Sequence, residues 1–249
     1  MKRENIYFLS DFHFGVPNFE DSQKREKMIV ELLLEISKDA KAIFLLGDVF
    51  DFWYEYRHVV PKGYSRFLGT LALIGDMGVD IHYFCGNHDQ WLGDYFEKEI
   101  GMKIHFKEAE FEFNNKIFYL GHGDGLDKSD RKYLILKSIF TNKILRKLFS
   151  AIHPYFAFSL AKFWSKHSRL AHNGSDQIDL GKEEPLVKFC ENMLTKRHID
   201  YFILGHRHLK AQYTLSTGAI YTNLGEMVNG RSYGHWDGKE FYLKEIKKD

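Results

Sequence analysis

Ile6-Tyr7-Phe8-Leu9-Ser10-Asp11-Phe12-His13 is an apolar run that ends on an acid and an imidazole two residues apart. Four further runs end in the same way. Gly47-Asp48-Val49-Phe50-Asp51 follows Ala42 to Leu46, and Gly86-Asn87-His88-Asp89 follows Ile81 to Phe84. Gly121-His122-Gly123-Asp124 follows Ile117 to Leu120, and Gly205-His206-Arg207-His208 follows Tyr201 to Leu204. Short continuous apolar runs read as strands covered on both faces. A buried strand that stops and then presents Asp, Asn or His builds a site, not a core.

Between the runs lie helical spacings. Met28, Ile29, Leu32, Leu33 and Ile36 recur at the interval that buries one helix face. Pro61 is expected to open a second helix through Phe67, Leu68, Leu71 and Leu73, and Trp91 to Lys98 a short third one. Asn114-Asn115-Lys116 reads as the turn of a hairpin. Strands alternating with helices, then strands alone, predict an α/β sandwich.

The segment 127–172 breaks this rhythm. It has no strand signal and carries two helical patterns divided near Pro154. Ten Lys or Arg stand against Asp127 and Asp130, a surplus of eight in a chain whose net charge is +1. We read it as an inserted helical cap, with residues 1–126 and 173–249 forming the main domain. Its abundant apolar residues suit a lipid and its basic surplus a diphosphate or anionic headgroup, the other reading being two amphipathic helices that pack on the sandwich and expose a solvated Lys/Arg face.

A length of 249 residues fits one large domain with such an insertion. The near-neutral total offers no global case for nucleic acid binding. Cys85 and Cys190 are too few for a disulfide framework and read as buried thiols. No apolar stretch approaches the ~20 residues that span a bilayer. The expectation is a cytoplasmic protein with at most peripheral membrane contact.

In open α/β sheets ligands bind at the carboxyl ends of strands, so five such motifs can converge. Carboxylate, imidazole and amide donors without thiolate suit Mn, Fe, Zn or similar ions, and there are too many for one ion. One ion would take Asp11, His13 and one terminal His; the other would take Asn87, His122 and the remaining terminal His, with Asp48 bridging. Two ions ~3.5–4 Å apart clamp a phosphoryl group and share the attacking hydroxide. His88 is the candidate acid beside them, with Asp89 holding its ring. Asp51 and Asp124 are expected to orient the imidazole ligands.

The ordered set from Asp11 to His208 resembles the calcineurin-like metallophosphoesterases. The resemblance implies a sandwich of two mixed β-sheets flanked by helices and a dinuclear centre, often of Mn2+. It also implies hydrolysis of a phosphate ester or anhydride. It assigns Asp11, His13, Asp48 and His208 to one ion and Asp48, Asn87, His122 and His206 to the other. His122 to Leu126, then Asp130 and Tyr133, then basic and aromatic helices, are similar to the subgroup that hydrolyses UDP-2,3-diacylglucosamine in lipid A synthesis. That likeness implies cleavage of a pyrophosphate to UMP and an acylated sugar 1-phosphate on a peripheral membrane surface. Asn87, His88, His122, Asp130, Tyr133, Arg169 and His206 would contact the substrate. Where the best-known branch has Arg, this chain has His88, the commoner residue across the broad family. Two other readings fit the motifs: a hydrolase for a soluble nucleotide or phosphorylated metabolite, and a metal-stabilised binding module without catalysis.

Overall fold

The structure, a computed structural model, describes residues 3–172 and 178–246, without the side chains of Lys162 and residues 166–172. Two sheets are stacked face to face. Strands β1 (Asn5–Leu9), β2 (Ala40–Leu46), β3 (Asp80–Phe84) and β4 (Lys103–His105) run parallel, and β10 (Ser232–Trp236) and β11 (Phe241–Glu245) extend that sheet beyond β1 in antiparallel pairing. The second sheet has the order β5 (Ala109–Phe113), β6 (Lys116–Leu120), β7 (Tyr201–Leu204), β9 (Ile220–Leu224), β8 (Lys210–Thr214). Its central pairings, β6 with β7 and β7 with β9, are parallel.

The period of two along a strand decides what each apolar residue covers. Ile6, Phe8, Phe44, Leu46 and Phe84 point to the second sheet and meet Phe118, Leu120, Ile203 and Leu224. Phe8 is fully buried there, stacked 5.5 Å from Phe44 and 6.0 Å from Phe118. Tyr7, Leu9, Ile43, Leu45, Ile81 and Tyr83 point the other way, against α1 (Phe19–Ile36) and α2 (Ser65–Asp76). The outer face of the second sheet is covered by Leu186, Val187 and Cys190 of α7 (Pro185–Leu194). Burial on both faces is why these strands read as unbroken apolar runs.

Four local expectations are corrected. Pro61 does not open a helix: α2 begins at Ser65, after Tyr64 in a left-handed conformation (φ 56°). Of Trp91 to Lys98 only the second half is helical, within α3 (Tyr95–Glu99). Strand β4 was not foreseen, because three residues leave no readable period. The first cap pattern is two helices, α4 (Arg131–Phe140) and α5 (Lys143–Phe149). The break falls at Asn142, whose side chain accepts from the amides of Ile144 (2.9 Å) and Leu145 (3.2 Å) and starts the new helix. Pro154 opens the long α6 (Pro154–His172) as expected. Both cysteines are free. Among the described residues no helix is long and apolar enough to cross a membrane.

Candidate metal centre

The five motifs leave the carboxyl ends of β1, β2, β3, β6 and β7 and meet at one edge of the sandwich. The backbone turns sharply there. Asp11, His13, Asp48, His206 and His208 all adopt left-handed φ, between 47° and 73°. Such values are uncommon for residues other than glycine, and Asn, Asp and His tolerate them best. Amides of Asp11 and His13 bond the carbonyls of Gly47 and Asp48 (3.0 and 2.9 Å), so the first two motifs advance side by side.

Two groups of donor atoms result. Nε2 of His13 and Nε2 of His208 lie 3.0 Å apart, and Asp11 Oδ1 is 3.6 Å from the first and 3.3 Å from the second. Asn87 Oδ1 is 3.1 Å from both His122 Nε2 and His206 Nδ1. Asp48 Oδ2 stands between the groups, 3.8 Å from His13 Nε2 and 3.3 Å from His122 Nε2. Among the described residues Asp11 Oδ1 is buried without a hydrogen-bond partner. An anionic oxygen in that position calls for a cation. The donors fit a pair of divalent ions bridged by Asp48.

Burial and the buried carboxylates divide the imidazoles of the site. Burial alone would raise the Asp48 and Asp11 carboxyls, but the surrounding imidazoles outweigh it and hold both well below the usual range. Burial, then His122, pushes His206 down to about 4, which leaves its ring neutral and able to ligate. Burial lowers His13 in the same sense. Burial also works to lower His122, yet the carboxylate of Asp48 overrides it and raises this imidazole well above its ordinary value.

Several supports were not legible in the motifs. His122 Nδ1 donates to the Leu46 carbonyl at 2.8 Å, which aims Nε2 inward. Ser10 Oγ lies 2.5 Å from Asp11 Oδ2. The buried guanidinium of Arg25 donates to the carbonyls of Phe12, His13 and Val16, tying the first motif to α1. A charged residue on the apolar face of α1 was the available signal. Gly86 and Gly205 are required by close approach. A methyl group at Gly86 would collide with Asp48, and one at Gly205 with Ser10 and Asp11.

The remaining expected residues fall as follows. His88 lies beside the centre, its ring 5.1 Å from that of His13. Its Nδ1 donates to the main-chain carbonyl of Asp51 at 3.0 Å, and its amide donates to Asp48 Oδ1 at 2.8 Å. Asp89 does not hold the His88 ring. It is fully buried, and its carboxylate accepts from the amides of Gly86 and Val49 (both 2.7 Å) and from the Tyr83 hydroxyl (2.6 Å). It therefore braces the second motif against the third. Asp51 attends His88, with Oδ1 3.8 Å from Nδ1 of that ring. Asp124 accepts from the Tyr133 hydroxyl (2.7 Å) and pairs with Lys137 Nζ (2.5 Å), so it binds the cap rather than the ring of His122. Asp130 caps α4 through the Tyr133 amide at 2.9 Å. The side chain of Arg169 lies outside the described residues.

The centre opens into a cavity of about 760 Å³ under α4, α5 and α6. Asp48, Asn87, His88, His206 and His208 line its floor. Phe52, Trp91, Leu136, Phe140, Leu160 and Trp164 line its other side. Asp130 and Tyr133 border it as well.

The sequence profile of the calcineurin-like phosphoesterases matches residues 4–210. The chain belongs to that family. Among its relatives is a UDP-2,3-diacylglucosamine hydrolase of Porphyromonas gingivalis, 37% identical over 98% of each chain. Another of the same name, from Edwardsiella ictaluri, is 27% identical over 96% of this chain and 91% of its own length. A dimetal phosphatase from Danio rerio shares the fold at 14% identity, with a TM-score of 0.50 and coverage of 98% of this chain and 96% of that one.

Proposed function

We propose that this calcineurin-like phosphoesterase cleaves the pyrophosphate of UDP-2,3-diacylglucosamine, giving UMP and 2,3-diacylglucosamine 1-phosphate. The observation that carries the reading is the apolar chamber opening directly on the metal ligands. A diphosphate bound at the ligands would lay its acylated sugar under the cap, and each buried methylene is worth ~0.8 kcal/mol. The names of the full-length relatives point the same way. A soluble nucleotide without acyl chains would leave these aromatic and aliphatic walls without an apolar partner.

Asp11, His13, Asp48 and His208 would hold one ion, and Asp48, Asn87, His122 and His206 the other. The oxygen- and nitrogen-donor set suits Mn2+. Two such ions polarise a phosphoryl oxygen and stabilise the charge of an in-line displacement. His88 is offered from the cap side, where it can donate a proton to a phosphate oxygen or to the departing group. Asn87, His88, His122 and His206 would contact the phosphoryl groups and Asp130, with Tyr133 beside it, the sugar, while Arg169, whose side chain lies outside the described residues, is a further candidate for substrate contact. Residues 127–172 serve as a substrate cap on a main domain of 1–126 and 173–249.

Large apolar side chains stand exposed on the cap, among them Ile144, Leu148, Tyr155, Phe156 and Phe163. Lys143 and Lys147, both exposed, share its middle helix. Such a surface suits peripheral contact with anionic lipid on the cytoplasmic face of a membrane. Incubating the Mn2+-loaded protein with UDP-2,3-diacylglucosamine tests the function by release of UMP. Turnover of soluble nucleotides with none of the lipid would overturn it.

A further inference from the structure

The cap is tied to the main domain by contacts of two kinds. Some are anchors to backbone: Arg146 donates to the carbonyl of Leu92 at 2.7 Å, and Trp91 Nε1 donates to that of Phe140 at 2.6 Å. Others reach carboxylates within the metal motifs. Tyr133 and Lys137 engage Asp124, and from α6 the hydroxyl of Ser165 donates to Asp51 Oδ1 at 2.7 Å. Asp51 is the residue whose own carbonyl holds Nδ1 of His88.

Ser165 and Asp51 are both nearly inaccessible, at 4% and 6% exposure. A hydrogen bond from a hydroxyl to a buried carboxylate is stronger than a neutral one, and here it crosses from the cap to the main domain. The Asp51 side chain is gripped from above while its main chain orients the imidazole below. His88 spends Nδ1 on this carbonyl, so Nε2 is its nitrogen available to the cavity. A shift of Asp51 would therefore turn the ring that lines the cavity.

We propose that Ser165 is a positioning residue, transmitting the docked state of the cap through Asp51 to His88. The inference rests on the hydrolase reading above for its kinetic consequence but not for its structural one. It predicts that turnover depends on cap docking separately from substrate affinity, because misorienting one hydrogen-bonding group by a fraction of an ångström lowers kcat.

The test uses the full-length, Mn2+-loaded protein. Ser165→Ala is expected to lower kcat about tenfold, the rate equivalent of one charge-assisted hydrogen bond at the low end of its range, with KM changed less than about twofold. Ser165→Thr, which keeps the hydroxyl, restores kcat. In a His88→Ala background, Ser165→Ala produces no further loss, since two residues acting through one group are not additive. A rise in KM with kcat preserved, or an undiminished effect without His88, overturns the proposal. A readout without substrate stands beside these. In the protein loaded with diamagnetic Zn2+ in place of Mn2+, the imidazole nitrogen signals of His88, assigned by their absence in His88→Ala, move in Ser165→Ala and return in Ser165→Thr. Unmoved signals overturn the proposal. Signals that move in a protein unable to release UMP sink the hydrolase reading and leave the coupling standing.

Discussion

His13 and His208, 195 residues apart in the chain, bring their Nε2 atoms to 3.0 Å. Two imidazole nitrogens converge in this way, with a buried carboxylate oxygen beside both, where a cation completes the group. Asp48 then links this cluster to the one around Asn87. Asp48→Ala is expected to remove both ions, whereas Asn87→Ala weakens one. Metal analysis of the purified variants decides the matter, and two sites that respond independently would contradict the bridge.

The close approach at Gly86 and Gly205 gives a second expectation. Gly86→Ala pushes a methyl group into Asp48, and Gly205→Ala pushes one into Ser10 and Asp11. Ligand displacements approaching 1 Å cost ~10²-fold in rate. Either variant should fold, as judged by circular dichroism, yet bind metal poorly and turn over at about that reduced level. Full activity in Gly86→Ala would mean that the loops yield far more easily than their packing implies.

His88→Ala separates acid from ligand. With both ions retained and KM little changed, the rate should fall ~10²–10⁴-fold, the usual scale for a lost proton donor. Atoms of His13, Asp51 and His88 also lie close enough together to hold an ion. Loss of metal from His88→Ala would therefore reassign this histidine as a ligand.

The chamber makes its own claim. Leu160→Glu places a carboxylate among the apolar walls beneath the cap. KM for the diacylated substrate should rise at least tenfold, or ~1.4 kcal/mol, while hydrolysis of bis(p-nitrophenyl) phosphate stays within about twofold. Equal losses on both substrates would show that the cavity does not receive the acyl chains.

Much of this site could be read without coordinates, because five motifs after five apolar runs, four of them opened by glycine, leave little freedom in where their side chains meet. The supports could not be read. Asp89 looked like a partner of His88 from its neighbouring position, but a residue's hydrogen bonds depend on where its loop turns, and here it turns toward Gly86 and Val49. Arg25, Ser10 and Ser165 act on main-chain carbonyls or on carboxylates distant in sequence, and no spacing records that. The cap's division at Asn142 was visible in principle, since Asn is a common first residue of a helix. The apolar periodicity ran across it and hid the break.

Away from the centre, His82 and His105 face each other with ring nitrogens 2.9 Å apart. Burial, then His105, pushes His82 down to about 4, below its ordinary value near 6.5. The unfolded chain therefore binds a proton that the folded one refuses between those values. This part of the stability is present above about pH 6.5 and is lost as the pH falls toward 4. Urea midpoints measured from pH 7 to 4.5 should fall less steeply in His82→Phe than in the natural protein. Parallel curves would show that the pair does not contribute. The comparison isolates this ring from the imidazoles of the metal centre.

Left-handed backbone at Asp11, His13, Asp48, His206 and His208 has a consequence for what evolution can place there. On the proposed assignment each position would bind a hard or borderline cation, and each must tolerate a conformation that most side chains resist. Glu and Cys are competent donors, yet neither belongs to the set that settles readily into that conformation. Asp, Asn and His satisfy both demands at once. The narrow vocabulary of these motifs is thus selected twice, by coordination chemistry and by the Ramachandran map, and a drifting ligand would have to escape both filters together.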